Sequence, residues 1–203
     1  MAESSTAHEA HEGVHRHEPP KSFIRKYVFS LDHKVIGVQY LALALTSVIV
    51  GMTLSVLMRM NLTWAGPWPV MGTLFPTGAP GGVMTPEFYL AMVTMHGTMM
   101  VFFVLTTAPQ GGFGNYFLPI QIGADDMAFP VLNMLSFWVT LVGFFFLLAA
   151  FFVEGGAPIG GWTAYPPLSA LGQIAGPGQG AGMNMWIISI AIFCVASLLG
   201  ALN

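Results

Sequence analysis

Four long apolar runs, separated by polar or Gly- and Pro-rich stretches, dominate the chain: Val35 to Met58, Phe88 to Ala108, Phe129 to Val153 and Met183 to Asn203. Each is long enough to cross the hydrocarbon of a bilayer, which takes about 20 helical residues. None shows the apolar/polar alternation of a membrane β-strand, and a lone spanning segment must satisfy its own backbone hydrogen bonds, so the runs predict four transmembrane helices. The stretches between them, "GPWPVMGTLFPTGAPGG", "APQGGFGN" and "GGAPIGGWTAYPPLSALGQIAGPGQG", are crowded with glycine and proline and predict loops. The pattern as a whole predicts an all-α integral membrane helical bundle over residues 31–203, preceded by a polar tail of disordered composition over residues 1–30.

Composition sharpens this picture. Of 203 residues, 55% are hydrophobic and 7% charged, whereas soluble domains carry about a quarter charged residues. The net charge of −3 comes with no basic patch beside stacking aromatics past residue 34, which excludes nucleic acid as a partner. The one cysteine, Cys194, lies in an apolar run and reads as a small packed residue, offering neither a disulfide framework nor a thiolate metal cluster. The N-terminal order, a His- and Glu-rich stretch before basic residues and an overlong apolar run, is not that of a cleaved signal, so the tail is expected to be retained. Its histidines, His8, His11, His15 and His17, are irregularly spaced and read as tail composition rather than a metal site.

Five of the six basic residues, Arg16, Lys21, Arg25, Lys26 and Lys34, precede the first run. The positive-inside rule then predicts a multi-pass protein of the bacterial inner membrane with a cytoplasmic N-terminus. The loop holding Asp125 and Asp126 would face the cytoplasm, and those holding Trp68 and Trp162 the outside. The chain closes on "SLLGALN" without a cationic flank or interfacial aromatic, so more polypeptide is expected after Asn203.

Polar residues inside or beside the runs are candidates for chemistry, because an ionisable group near the bilayer centre costs about 2.5 to 3.5 kcal/mol or more. His96, in "MHGTMMVFFV", is the clearest. A neutral imidazole can give one nitrogen to haem iron while the other donates to a carbonyl, or it can simply bond a neighbouring helix. Gly97 beside it would let a flat macrocycle approach. Arg59, ending the first run, reads first as an interfacial anchor and alternatively as a partner for an anionic cofactor group. Asn115, Asp126 and Asn133 crowd one mouth of the second and third runs, where they suit a file of waters or helix caps, "DDMAFP" having an acidic start. Trp162 and Tyr165 in "GWTAYPPLS" fit an aromatic belt.

The blocks "DHKVIGVQYL", "HGTMMVFF", "GGFGNYFLPIQIGADDMAFPVLNMLSFW", "GWTAYPPLS" and "SLLGALN", in order and closely spaced, resemble the N-terminal part of subunit I of the haem-copper oxidases from about Ser30 onward. That resemblance implies four of about a dozen helices of a larger subunit. It implies that His96 is one axial ligand of a low-spin haem, haem a in the first instance, with Arg59 near a haem substituent and Trp162 and Tyr165 near its propionates. It also implies that Asp126 stands at the mouth of a proton channel, with Asn115 and Asn133 just inside and Tyr40, Ser136 and Ser197 farther along. The high-spin haem and copper would be held by the remainder of subunit I. Its expected partners are a copper-bearing subunit II, a subunit III, cytochrome c and membrane lipid.

The chain departs from the pattern in places. Val131 stands where many members have arginine, removing a cation near Asn133, and Asn61 replaces the carboxylate of a structural calcium or sodium site, which is therefore not expected. Where quinol-oxidising members hold the quinone head with polar residues, the matching positions are Val50, Leu54, Phe88 and Ala91. All four are apolar, which favours cytochrome c as the electron donor. The reading is thus part of a proton-pumping cytochrome c oxidase reducing dioxygen to water. The alternatives are a quinol oxidase of the same superfamily and a non-enzymatic four-helix membrane scaffold or transporter.

Overall fold

The computed structural model describes residues 22–63 and 66–203. The tail histidines His8, His11, His15 and His17 lie outside the described residues. Contacts divide the chain into two units, Met1–Ser30 and Leu31–Asn203. In the first, Ile24–Val28 forms one wide helical turn closed by Phe29 N–H donating to the Ile24 carbonyl at 2.9 Å.

The second unit is built on α1 (His33–Thr63), α2 (Pro69–Leu74), α3 (Pro86–Ile122), α4 (Pro130–Ala149) and α5 (Ala181–Ala201), with no strand among the described residues. All but the short α2 are long and apolar enough to cross a membrane, so the four predicted spans are present. The Asp32 carboxylate starts α1 by accepting from Lys34 N at 2.7 Å, and Thr85 caps α3 by accepting from Phe88 N at 3.2 Å ahead of Pro86 and Glu87 in the first turn. At 31 residues, α1 is about 46 Å long, more than the hydrocarbon requires.

The second span differs from its prediction. It does not stop at Ala108. Over Met99–Gly114 the helix widens to π register and runs on through "APQGGFGN" to Ile122, ending where Gly123 adopts φ 73°. Thr106 and Thr107 follow the wide register, each donating 3.0 Å to the carbonyl five residues back. The glycines read as loop breakers are packing positions instead: a Cβ on Gly111 would lie 2.6 Å from the Tyr40 ring, and one on Gly37 would lie 2.9 Å from the Gly112 carbonyl. Small residues let α1 and α3 approach backbone to backbone, the commonest way membrane helices gain contact in a solvent as apolar as themselves.

The four spans pack as α1 on α3 and α4 on α5. Phe103 of α3, fully buried, ties the pairs together by ring contacts to Phe144 of α4 at 5.5 Å and Phe193 of α5 at 5.2 Å. Between α4 and α5, Ser189 donates to the Gly143 carbonyl at 2.7 Å. Each span also turns apolar side chains outward, among them Leu45 and Ile49 of α1, Leu105 of α3, Phe145 of α4 and Val195 of α5, as lipid or further protein requires. Cys194 is on that outward surface, exposed rather than packed as its apolar run suggested.

Candidate functional site

The polar side chains fall into two groups, one toward the end of the bundle that carries Trp162 and one toward the end that carries Asp126. His96 anchors the first. It sits in the last α-helical turn before α3 widens, half-buried, with Nδ1 2.8 Å from the Gly51 carbonyl of α1. A carbonyl only accepts, so Nδ1 carries a proton, and in the neutral imidazole the lone pair is then on Nε2. That is the tautomer and orientation an iron-ligating imidazole needs, with the second nitrogen fixed by an outer partner.

The helix around His96 is pinned by two hydroxyls one turn apart, Thr94 and Thr98, each two residues from the histidine. Thr94 accepts from Gly161 N at 2.9 Å, drawing the loop after α4 onto α3, and Thr98 accepts from Trp186 Nε1 of α5 at 2.8 Å. The loop is braced from inside by buried Gln179, which donates to the Leu168 carbonyl at 2.9 Å and accepts from Ile159 N. This places the Trp162 ring over Gly97, where a Cβ would come within 3.2 Å of it, and near Phe102 at 6.3 Å between centroids. The space cleared by Gly97, assigned from sequence to a macrocycle, is occupied by the indole. Trp162 therefore reaches the His96 turn; Tyr165, 72% exposed, and exposed Arg59 are joined to it by no hydrogen bond or ion pair among the described residues. A half-buried imidazole with a free Nε2, beside an aromatic wall on a braced loop, fits one axial side of a haem.

The second group surrounds a cavity of about 420 Å³ lined by Tyr40, Asn115, Thr140 and Ser197 among others. Met127, whose N–H donates to the Asp126 carboxylate at 2.7 Å, is also in its wall. Asp126 is thus beside the cavity but does not cap α4, whose first turn has no acidic residue; of the two readings of "DDMAFP", the helix cap is not realised. Behind the cavity wall, Ser136 donates to the Asn133 carbonyl at 2.7 Å. With its one proton so used, its Oγ accepts from Tyr40 OH at 2.7 Å, giving a directed chain from Tyr40 through Ser136 to Asn133.

The amides here are unlike ordinary buried ones. Both polar atoms of Asn133, 1% exposed, and Oδ1 of Asn115 are buried without a protein partner, while Asn115 Nδ2 donates to the Gly111 carbonyl at 2.7 Å. Buried polar atoms are nearly always satisfied, so the orphaned Oδ1 of Asn115 in the cavity wall and the orphaned amide of Asn133 are candidates for partners from outside the protein, water first among them. No group of three or more His, Cys, Asp or Glu side chains that would hold a metal ion occurs among the described residues.

Sequence reasoning overlooked His33, Thr94, Thr98, Gln179 and Trp186. The two threonines had a signal, since hydroxyls four apart flank His96 on one helix. The others bond across 11 to 88 positions of chain, which no local pattern reports.

A family profile described as "Cytochrome C and Quinol oxidase polypeptide I" matches residues 35–203. The chain is 40% identical over 184 residues to a Bradyrhizobium diazoefficiens protein named "Alternative cytochrome c oxidase subunit 1", covering 91% of this chain and 29% of that one. It is 37% identical over 195 residues to "Cytochrome c oxidase subunit 1" of a Synechocystis species, covering 96% and 31%. With the protein of that name from Candida albicans it is 36% identical over 182 residues, covering 90% and 31%. It spans under a third of the length of these curated relatives.

Proposed function

The chain belongs to the cytochrome c and quinol oxidase polypeptide I family, and from that premise we propose that it forms the haem-ligating, proton-admitting part of the catalytic subunit of a cytochrome c oxidase. The observation that carries the reading is the His96 bond to the Gly51 carbonyl, which leaves Nε2 free at the half-buried centre of a span. His96 would hold the iron of a low-spin haem through Nε2. When bound, that haem supplies a one-electron carrier between the donor and an oxygen-reducing haem-copper centre held by the rest of subunit I.

The residues of this chain do the holding. Gly51 orients the imidazole, Thr94 and Gln179 keep the Trp162 loop over the His96 turn, and Trp162, Tyr165 and Arg59 would meet the haem's propionates and ring substituents. At the other end, Asp126 collects protons, and Asn115, Asn133, Tyr40, Ser136 and Ser197 order waters as neutral groups that do not trap a charge. Inward passage of those protons serves both water formation and pumping. The electron donor is cytochrome c rather than quinol, a reading supported by Leu54 and Ala91 being buried apolar packing residues and by Phe88 packing against the Phe75 ring, 5.2 Å between centroids and tilted 46°. The assembly lies in a bacterial inner membrane with the N-terminus cytoplasmic, alongside a copper-bearing subunit II and a subunit III.

The test is a reduced-minus-oxidised spectrum of the purified complex with and without His96→Ala. The low-spin bis-histidine signal is expected in the unsubstituted complex and lost in the variant. Retention of that signal in the variant, or absence of haem from both, overturns the reading; turnover with quinol but not reduced cytochrome c would move the chain to the quinol branch.

A further inference from the structure

The α3 helix carries, after Pro86 and Pro109, a third proline, Pro119, well inside its last α-helical stretch, Asn115–Ile122. In α-helical register the N–H of residue 119 would close onto the carbonyl of residue 115, and proline has no N–H to give. The Asn115 carbonyl is therefore left without its helical donor at the point where α3 changes from π to α register. A different helix supplies one. His33, 4% exposed at the start of α1, has Nδ1 2.8 Å from that carbonyl across 82 residues of chain.

The placement is enforced along the whole of one α1 face. His33, Gly37 and Tyr40 are four and then three residues apart, so they line one side of the helix. Gly37 meets the Gly112 carbonyl and Tyr116, and Tyr40 lies against Gly111, at separations that leave no room for a Cβ on any of these glycines. The side chain of Asn115 then bonds the Gly111 carbonyl through Nδ2 and leaves Oδ1 buried beside the cavity.

We propose that His33 is the positioning residue of the Asn115 turn: its Nδ1–H replaces the donor that Pro119 removes and thereby fixes how Asn115 presents its amide to the cavity. The bond stands on geometry alone; its consequence for proton passage rests on the reading of Asn115 as part of the water file.

The experiment uses the assembled complex with His33→Leu, His33→Asn, Pro119→Ala and the double variant His33→Leu/Pro119→Ala. Amide exchange over residues 116–122 and the rate of proton uptake are measured, and the haem spectrum serves as the control for assembly. His33→Leu, leaving a buried carbonyl orphaned, is expected to speed exchange about tenfold and to slow proton uptake with the spectrum unchanged. His33→Asn, whose amide nitrogen occupies the place of Nδ1, restores most of both. Pro119→Ala returns the missing N–H, so His33→Leu becomes nearly silent when added to it. If His33→Leu has the same effect with and without Pro119→Ala, or if His33→Asn is as damaging as His33→Leu, His33 merely packs and the proposal is wrong. An exchange response of the expected kind with unaltered proton uptake upholds the His33 bond and instead removes Asn115 from the proton path.

Discussion

Around His96 four side chains have each found a protein partner: the imidazole Nδ1 on Gly51, Thr94 on Gly161, Thr98 on Trp186, Gln179 on two backbone groups of its loop. Around Asn133, within the same four helices, both polar atoms of that amide and Oδ1 of Asn115 are buried with nothing of the protein to bond. Both arrangements put polar atoms into a bundle that lipid surrounds, yet they do opposite things. Satisfied groups hold one geometry, which is what a ligand that must meet a metal needs. Polar atoms left unpaired keep their hydrogen-bonding capacity for something other than the protein, which is what the proposed path for water and protons needs.

One chemical change, a buried polar side chain to an apolar one of similar size, ought therefore to have opposite signs in the two regions. The largest effect is expected from Thr98→Val. It strands the indole N–H of buried Trp186, so resistance to denaturation in detergent should fall by about 1–3 kcal/mol, with the haem band shifted or broadened because Thr98 ties to α5 the helix segment that carries His96 two residues away. Asn133→Leu should go the other way. It removes two orphaned polar atoms, so stability should hold or rise by about 1 kcal/mol, while stopped-flow proton uptake drops by an order of magnitude or so and the haem spectrum stays as it was. A loss of stability in Asn133→Leu comparable with that of Thr98→Val would erase the distinction between the regions. The smallest effect belongs to Tyr165→Phe, a change at a 72% exposed ring, for which stability should stay within about 0.5 kcal/mol; a larger loss would mean that Tyr165 makes a contact supplied from outside this chain.

How far the sequence could be read differs between these regions for a physical reason. His96 stands out because an imidazole amid "MHGTMMVFFV" violates the apolar rule of its run, and a violation is visible without knowing the neighbours. The wide stretch of α3 was hidden because proline and glycine, which break helices in water, were weighed by their habits in water. In lipid no solvent waits to take up freed backbone groups, so the chain stays helical through Pro109 by widening its register, and Gly111 and Gly112 serve as contact surface for Tyr40 and Leu41. Asn115 and Asn133 were legible as polar residues near a mouth but not as unpartnered ones. Nothing local to "DDMAFP" showed that α4 begins at Pro130 and leaves Asp126 free of the helix.

By itself the sequence determined the number of spans, their approximate limits, the all-helical class and the residues whose chemistry is out of place in lipid. Those follow from composition along a line, because each segment in a bilayer must satisfy its own backbone and match a fixed thickness. Only the tertiary structure decided which polar side chains are satisfied and which are not: His33 by an acceptor 82 residues away, Trp186 by one 88 residues away, Asn133 by none in the protein. Hydrogen bonds are short and directional, so whether a partner exists is settled by where a second helix places its atoms to within a fraction of an ångström, and a sequence read along one helix at a time does not contain that distance.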